Sequence, residues 1–243
     1  MEPSRGRPDA TTVAMRDRMR VPRDSGIRFM SSNPAASPQT STLAAELLPA
    51  PALPRLMRDA MLVLAGSAIV AASARLTIPL EPVPVTGQTF GVLVVAMALG
   101  SRLGTLALAA YLIEGLAGLP VFAGGASGPG AIAGPSGGYL IGYLPAAWLI
   151  GRLAELGWDR TVTRTALAML AGNIALYVPG LLWLGWHVSG LPAEELGGQS
   201  LVMVVLWAGL IPFIPGDAIK LALAAVVMPL GWKLARWRSG QPL

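Results

Sequence analysis

Six apolar segments between residues 60 and 232 constrain the fold of this chain more than any other feature. They run approximately over residues 60–74, 89–100, 103–118, 139–153, 165–186 and 214–232. Each approaches the roughly 20 residues that a helix needs to cross a bilayer, although several are short and rich in glycine. Because backbone polar groups in hydrocarbon must be satisfied within the protein, such segments are helical. The sequence therefore predicts an all-α integral membrane protein with six transmembrane helices and long outer loops.

Composition indicates the same class. Of the 243 residues, 53% are hydrophobic and 13% are charged, whereas a soluble domain is about 25% charged. The net charge of +5 comes largely from arginines outside the apolar segments, which favours membrane orientation over nucleic-acid binding. Since the chain has no cysteine and one histidine, His187, we expect no disulfide, no metal site and no cofactor.

The apolar segments divide the chain into three predicted regions. Residues 1–57 hold scattered Arg, Pro, Ser and Thr without a sustained apolar period, which predicts a disordered cytoplasmic tail whose arginines are solvated or touch anionic lipid. Residues 58–233 form the predicted membrane domain, and residues 234–243 a short basic cytoplasmic C-terminus. No secretory signal is expected, because no apolar run follows the first arginines.

Basic residues in the loops predict the orientation. In a six-helix arrangement Arg75 is the only basic residue in the loops of one side. The other side holds Arg55, Arg58, Arg102, Arg152, Arg160, Arg164, Lys233, Arg236 and Arg238. Since cytoplasmic loops are enriched in Lys and Arg, both termini are predicted to be cytoplasmic in a multi-pass protein of the cell or inner membrane.

Two connections follow from this arrangement. The second and third segments meet at Ser101 and Arg102 and are predicted to form a tight helical hairpin. Residues 199–232 as one helix would be about 50 Å long, which exceeds one crossing. We therefore expect a division near Pro212 and Pro215, with the first part lying along the membrane surface or capping the bundle.

Asp217 and Lys220 are the only charged residues between Gln199 and Gly231. An ionisable side chain at membrane depth costs several kcal/mol, so such residues usually pair, face the protein interior or bind something polar. Three residues apart on a helix, the two side chains can share one polar patch. An ion pair that only holds helices together is the alternative, and we favour a ligand site.

Five runs of sequence carry the most specific signal. In chain order they are IPLEPVPVTGQT (78–89), GLPVFAGG (118–125), GPSGGYLIG (134–142), GN (172–173) and PFIPGDAIK (212–220). In this order and at this spacing they resemble the BioY family, the biotin-binding subunits of energy-coupling-factor (ECF) vitamin transporters. The resemblance extends over about residues 57–232, and the arginine-rich tail has no counterpart in it.

The resemblance implies a helical substrate-binding (S) component that captures biotin from outside the cell. It implies partners as well, namely a transmembrane coupling subunit and two ATPase subunits whose cycle tilts the S component so that its pocket opens inward. This chain has no GxxxxGK[ST] pattern, so it is expected not to be an enzyme and ATP hydrolysis falls to the partners. In the resembled family the first helix docks on the coupling subunit. Ala68 and Ala72 are the predicted docking residues, with ordinary internal packing as the alternative.

The chemistry of biotin suits the two charged residues. Biotin has a ureido ring with two N–H donors and a carbonyl acceptor, an apolar sulfur-containing ring and a valerate carboxylate, so its site needs a donor, an acceptor and an apolar wall. Asp217 is the candidate acceptor for the ureido N–H groups. Lys220 either donates to the ureido oxygen or pairs with the valerate, and the sequence leaves both open.

The other predicted binding residues are Asn173, Tyr139, Tyr177, Gly138, Gln88 and Phe122. The amide of Asn173 supplies a donor and an acceptor, or else an interhelical hydrogen bond. Tyr139 and Tyr177 are walls with a polar tip, or else residues of an interfacial aromatic belt. Gly138 permits close approach of the backbone, with a plain turn as the alternative.

Three further hypotheses stay open. One is capture of another small vitamin or precursor, and one is a self-sufficient secondary transporter, which an inverted repeat would favour and the sequence does not show. A remote one is an intramembrane protease with Ser127 and His187, although Pro129 rather than a helix follows Ser127. Glu114, about one turn from the outer end of the third segment, is expected to face water, with proton coupling or substrate contact as alternatives.

Overall fold

Helices make up nearly all of the regular structure in the computed structural model, which describes residues 42–47, 53–192 and 196–238. In chain order the helices are α1 (Leu43–Leu47), α2 (Arg55–Ser73), α3 (Gln88–Leu116), α4 (Pro129–Ala133), α5 (Gly137–Glu155), α6 (Val162–Ser189), α7 (Leu201–Gly209) and α8 (Ile214–Arg238). Single 3₁₀ turns lie at Ala123–Gly125, Trp158–Arg160 and Ile211–Phe213. Within the described ranges the strands are limited to one antiparallel hairpin, β1 (Thr77–Ile78) and β2 (Val85–Thr86). The predicted all-α class is confirmed.

The helix α3 folds back on itself at Gly100. Gly100 has φ +82° and ψ 177°, a conformation that glycine adopts and other residues avoid. A Cβ placed on Gly104 would lie 2.9 Å from the Cα of Ala96, although eight residues of continuous helix span about 12 Å. The two halves of α3 are therefore antiparallel neighbours, as the predicted hairpin requires. We call this end of the bundle the Gly100 end, and the end that carries β1 and β2 the hairpin end.

Glycines allow the central helices to approach closely. A Cβ on Gly66 of α2 would lie 2.9 Å from the Cβ of Ala107 in α3, and one on Gly151 of α5 would lie 2.3 Å from the backbone nitrogen of Ser101. Small residues at such contacts let helices associate in lipid, where burial of apolar surface gives no driving force. As a result α3 and α5 form the centre of the bundle, α2 and α6 flank them, and α8 packs against α6 and α3.

Four helical stretches in the described part of the chain are long and apolar enough to cross a membrane. They are Arg55–Ser73, Gln88–Leu116, Val162–Ser189 and Leu201–Arg238. The last one is divided by the 3₁₀ turn Ile211–Phe213 into α7 and α8, close to the predicted division. The protein is therefore a multi-pass membrane protein, and the number of six crossings stays a prediction.

Parts of the predicted tail are helical, and the proposed domain boundaries as a whole stay a prediction. Within residues 1–57, α1 is formed and α2 already begins at Arg55. Leu43 of α1 is 6% exposed, and its Cδ2 lies 2.7 Å from where a Cβ on Gly231 of α8 would be. At the other terminus, α8 continues past the predicted boundary at residue 233 to Arg238. Residues 1–41, 48–52 and 239–243 lie outside the described ranges.

A buried carboxylate holds the Gly100 end together. Asp159, in the connection between α5 and α6, is fully buried and accepts a hydrogen bond from the indole nitrogen of Trp232 in α8. The guanidinium of Arg160 lies 4.6 Å above the ring of Trp232. Burial raises the pKa of the Asp159 carboxyl above its ordinary value, against the opposing effect of the Trp232 hydrogen bond. This cluster fixes the α5–α6 connection to the last helix.

Candidate functional site

A cavity of about 340 Å³ lies at the hairpin end, between the loops and the helix ends. Its size falls within the range of about 300–1,000 Å³ for small-molecule sites, which are mostly apolar with a few placed polar groups. The predicted site residues that line it are Gln88, Phe122, Tyr139, Tyr177 and Lys220. The sequence therefore identified the region of the molecule in which a cavity forms.

Lys220 supplies a positive charge to the cavity wall. Its Nζ lies 3.0 Å from Oδ1 of Asp217 and 2.8 Å from Oγ1 of Thr89. The side chains of Lys220 and Asp217 are 15% and 9% exposed, so the pair is largely out of solvent. An ammonium carries three N–H donors, and among the described residues two acceptors bond it, so one donor remains for a ligand.

Asp217 lies behind the cavity wall, since it is absent from the residues that line the cavity. Its Oδ1 accepts hydrogen bonds from Lys220 and, at 3.3 Å, from the hydroxyl of Thr89, and its Oδ2 accepts one from the hydroxyl of Tyr177. All three donors belong to residues that line the cavity. Asp217 therefore fixes side chains from α3, α6 and α8, and its predicted contact with ligand N–H groups stays a prediction.

Gln88 and Phe122 both contact Tyr111, which lies in the second half of α3. The amide of Gln88 donates to the hydroxyl of Tyr111, which in turn donates to the carbonyl oxygen of Val121 at 3.0 Å. Beside it the ring of Phe122 packs edge-on against Tyr111, with 5.5 Å between ring centres. A Cβ on Gly115 would lie 2.0 Å from the Phe122 ring, so only glycine there leaves space for this wall residue.

Three aromatic rings form one side of the cavity. Tyr139 and Tyr177 meet at right angles with 6.0 Å between ring centres, and Phe213 stacks on Tyr139 at 6.4 Å. The hydroxyl of Tyr139 donates to the carbonyl oxygen of Gly209 at 2.8 Å, which ties α5 to the end of α7. The wall is thus rigid and apolar, with its tyrosine hydroxyls turned to protein partners.

The lining residues that were not predicted from the sequence include Thr89, Tyr143 and Phe213. Thr89 and Phe213 lie inside two of the five family-like runs, so both could have been predicted from the sequence. Tyr143 follows the run that ends at residue 142 and lies four residues beyond Tyr139, a spacing that places both rings on one face of a helix. That spacing was the available signal.

Comparison with known proteins identifies the family. The family model described as the BioY family matches residues 39–237. The chain belongs to the BioY family. The match begins before α1, so the region that BioY proteins share includes part of the segment that was predicted to be a tail.

Individual relatives agree with the family match. The biotin transporter BioY of Thermotoga maritima is 36% identical over 161 residues, which cover 66% of this chain and 88% of that protein. The biotin transporter BioY of Rhizobium etli is 33% identical over 180 residues, which cover 70% and 90%. A crystal structure at 2.1 Å of the S-component for biotin from an ECF-type ABC transporter matches with TM-score 0.61 and 29% identity, over 75% of this chain and 95% of that one. The resemblance predicted from the five runs is confirmed.

Besides Asp217, two other predicted site residues of this BioY chain, Asn173 and Gly138, do not line the cavity. Asn173 is 6% exposed and lies one turn closer to the Gly100 end than Tyr177, and its Oδ1 has no hydrogen-bond partner in the described structure. A Cβ on Gly138 would lie 2.2 Å from the Cβ of Trp183 in α6. Gly138 therefore serves the contact of α5 with α6, and contact of either residue with a ligand stays a prediction.

The predicted docking residues lie on the exposed face of α2. Ala68 and Ala72 are exposed, whereas the face toward α3 carries the buried residues Gly66, Ser67 and Val70. Internal packing, the alternative for the two alanines, is therefore not what they do within this chain. Their contact with a partner subunit stays a prediction.

The environment of Glu114 differs in part from the one expected. It is half-buried, and it accepts a hydrogen bond of 2.5 Å from the hydroxyl of Ser67, which is fully buried on α2. The expectation that Glu114 faces water is met only in part, because the residue is partly exposed while one carboxylate oxygen satisfies a buried donor at the contact of α2 with α3.

The protease hypothesis finds no catalytic pair. Ser127 and His187 are both exposed, and no hydrogen bond joins them in the described ranges. A serine nucleophile needs a base within hydrogen-bond reach, and these two side chains do not provide one.

Proposed function

We propose that this protein binds biotin in the cavity at the hairpin end and carries it into the cell as the S component of an ECF transporter. The single observation behind the proposal is a cavity of about 340 Å³ that combines aromatic walls with the ammonium of Lys220, in a chain of the BioY family. Biotin transporters and an S-component for biotin are among its relatives. No cofactor or metal takes part.

The aromatic side of the cavity accounts for the apolar part of the ligand. The sulfur-containing ring and the valerate chain of biotin lose water against Tyr139, Tyr177 and Phe213, which line the cavity together. Sulfur also makes favourable contacts with aromatic rings. Since the hydroxyls of both tyrosines are bonded to the protein, the wall presents carbon surface to the ligand.

Lys220 supplies the charged donor, with the N–H that its two protein partners leave free. This N–H either donates to the ureido oxygen or pairs with the valerate. A comparison of biotin with its neutral primary amide separates the two. If the valerate is the partner, Lys220→Ala weakens binding of biotin far more than binding of the amide; if the ureido oxygen is the partner, both ligands lose equally.

Asp217 acts first as the residue that holds this donor in place. Its hydrogen bond from Thr89 is, at 3.3 Å, longer than the one from Lys220. A ureido N–H of biotin reaches the carboxylate by replacing the Thr89 hydroxyl, and the other two donors stay. Asp217 then contributes both to the position of Lys220 and to the recognition of the ureido ring.

The cavity faces the outside of the cell in this proposal, and the Gly100 end faces the cytoplasm. Arg152, at the end of α5, and Arg160, beside Trp232, lie at the Gly100 end, together with Lys233 and Arg236 near the end of α8. An excess of Lys and Arg marks the cytoplasmic side of membrane proteins. Biotin therefore enters the cavity from the outside of the cell.

A coupling subunit and two ATPase subunits complete the transporter in this proposal. The exposed face of α2 around Ala68 and Ala72 is the docking surface for the coupling subunit, because its small side chains let a partner helix approach closely. The rest of that face contacts lipid. ATP hydrolysis in the partners then drives reorientation of the loaded S component.

Calorimetric titration of the purified protein in detergent with biotin tests the proposal. Thiamine and riboflavin serve as control ligands, and Asp217→Asn and Lys220→Ala serve as variants. We expect tight binding of biotin alone, which both variants lose while they remain folded and monodisperse. A folded wild-type protein that does not bind biotin would overturn the proposed substrate, and unchanged affinity in both variants would overturn the site.

A further inference from the structure

Tyr143 brings a polar group to the deep part of the cavity. It lines the cavity and is 3% exposed. Tyr143 lies about two turns into α5 and Lys220 about two turns into α8, and both helices begin at the hairpin end. The hydroxyl of Tyr143 and the ammonium of Lys220 therefore belong to residues at a similar depth below the loops.

The hydroxyl of Tyr143 differs from those of the other tyrosines. All four tyrosines of the chain lie in described ranges. Tyr111 donates to Val121, Tyr139 to Gly209 and Tyr177 to Asp217. Within the described structure the hydroxyl of Tyr143 has no hydrogen-bond partner. Its oxygen keeps some accessible surface.

A hydroxyl that faces a cavity and has no protein partner takes its hydrogen bonds from whatever fills the cavity, because leaving it unbonded would cost free energy. Phenylalanine would fill the same volume and pack equally well against Tyr111, whose ring centre lies 6.5 Å away. The hydroxyl therefore contributes nothing to packing within the chain. What remains for it is a bond to a molecule that occupies the cavity.

We propose that the hydroxyl of Tyr143 donates a hydrogen bond to the ureido carbonyl oxygen of biotin. The inference rests on the proposed function and extends it to a residue that sets ligand specificity. The ureido ring is the neutral end of the ligand and enters deepest, whereas the carboxylate, which is costly to desolvate, stays near the loops. Leu140 and Leu176 beside Tyr143 offer no competing polar group. A carbonyl oxygen has two lone pairs, so it accepts from Tyr143 whichever group Lys220 contacts.

Tyr143→Phe tests the inference, since it removes the hydroxyl and keeps the ring. We expect its Kd for biotin to rise about 5- to 20-fold, the loss of one hydrogen bond in a buried site, with an unchanged melting temperature in the absence of biotin. Tyr139→Phe is the matched control, because its hydroxyl bonds the backbone of Gly209; there we expect the unliganded protein to melt at a lower temperature.

Two readouts identify the ligand atom. The neutral primary amide of biotin should lose the same factor with Tyr143→Phe as biotin does. In infrared spectra of bound biotin that carries a ¹³C label at the ureido carbonyl, the carbonyl stretch should move to higher frequency in Tyr143→Phe and stay in place in Tyr139→Phe.

The outcomes separate this inference from the proposed function. Wild-type protein that binds biotin, together with Tyr143→Phe of equal affinity and equal carbonyl frequency, overturns the inference and leaves the function intact. A loss that disappears with the amide assigns the contact to the carboxylate and overturns the inference too. Absence of biotin binding by the wild-type protein overturns both.

Discussion

The carboxylate of Asp217 on α8 accepts a hydrogen bond from the hydroxyl of Tyr177 on α6. Because Tyr177 lines the cavity and Asp217 does not, the bond joins the wall to the residue behind it. Asp217 also holds Lys220 at 3.0 Å. One carboxylate thereby sets both an aromatic wall and the charged donor of the site, so disturbing either bond should affect the other.

Tyr177→Phe should weaken biotin binding about 10-fold. The ring stays in the wall, but Oδ2 of Asp217 loses its donor, and a hydrogen bond to a charged group contributes about 1.5–3 kcal/mol. The free carboxylate oxygen then draws Lys220 or Thr89 out of position. Titration calorimetry measures the affinity, and a thermal melt without ligand measures stability.

Asp217→Asn provides the comparison for Tyr177→Phe. If the two residues act through one bond, the double variant should lose less stability, in thermal melts without ligand, than the sum of the two single losses expressed as free energies. Strict additivity, or a Tyr177→Phe protein with the affinity of the wild type, would contradict the coupling described above.

Local signals predicted the position of the site, and contacts over long sequence separations decided its details. Asp217 and Lys220 were recognisable because charges within an apolar helix need a partner, and their ion pair is present. The sequence could not show that Thr89 and Tyr177, on two other helices, also donate hydrogen bonds to the carboxylate of Asp217. Such bonds depend on how α3, α6 and α8 are arranged, which periodicity does not determine.

The fold was predictable to a similar extent. Apolar segments predicted the helices, and the polar junction at Ser101 and Arg102 placed the turn within one residue of Gly100, where the backbone has a positive φ. The helix α1 was missed because it is one short turn, stabilised by burial of Leu43 against α8 rather than by a periodic pattern of its own. Glu114 was assigned to water because its partner, Ser67, lies on another helix.

Gly115→Ala should destabilise the protein and weaken biotin binding. The new Cβ would lie 2.0 Å from the ring of Phe122, so the ring has to leave its place in the cavity wall, and overpacking of this kind costs about 1–3 kcal/mol. A thermal melt and a biotin titration measure the two effects.

Gly190→Ala is the control for Gly115→Ala. Nothing lies within 4 Å of a Cβ at Gly190, and its φ of −82° suits alanine. We expect stability and affinity close to those of the wild type. A Gly115→Ala protein that behaves like Gly190→Ala would show that Phe122 does not depend on the space beside Gly115.

Ala68→Trp should separate binding from transport. Ala68 is exposed on α2, so the bulky side chain meets no neighbour in this chain, and biotin affinity in detergent should stay within twofold of the wild type. If α2 docks on a coupling subunit, the same change should abolish copurification of the partners and reduce biotin uptake by cells at least about 10-fold, since close helix contacts need small residues.

Ala222→Trp is the matched change on another surface. Ala222 is exposed on α8, and its replacement should leave binding, copurification and uptake unchanged. Equal loss of uptake in both variants would indicate a general effect of a bulky group at the lipid-facing surface and would remove the argument for α2.

Asp159→Asn should stabilise the protein at neutral pH. Burial raises the pKa of the Asp159 carboxyl above its ordinary value of 3.8, so the folded chain holds this proton more tightly than the unfolded chain does. Stability of the wild type therefore falls as pH rises from the unfolded pKa through the raised folded pKa, and the loss is complete above it. Asparagine carries no charge and keeps an acceptor for the indole of Trp232. We expect it to melt roughly 2–4 °C higher at pH 7, about 1 kcal/mol for a chain of this size.

Thermal melts of both proteins from pH 4 to pH 8 measure this effect. The advantage of Asp159→Asn should shrink toward pH 4, because the raised pKa makes the carboxyl of the wild type increasingly protonated in the fold as pH falls. Asp59→Asn is the control, because Asp59 is partly exposed and pairs with Arg58 near the start of α2, where a single charge contributes little. An Asp159→Asn protein that melts below the wild type at pH 7 would mean that the ionised carboxylate, through Trp232 and Arg160, stabilises the Gly100 end despite its burial.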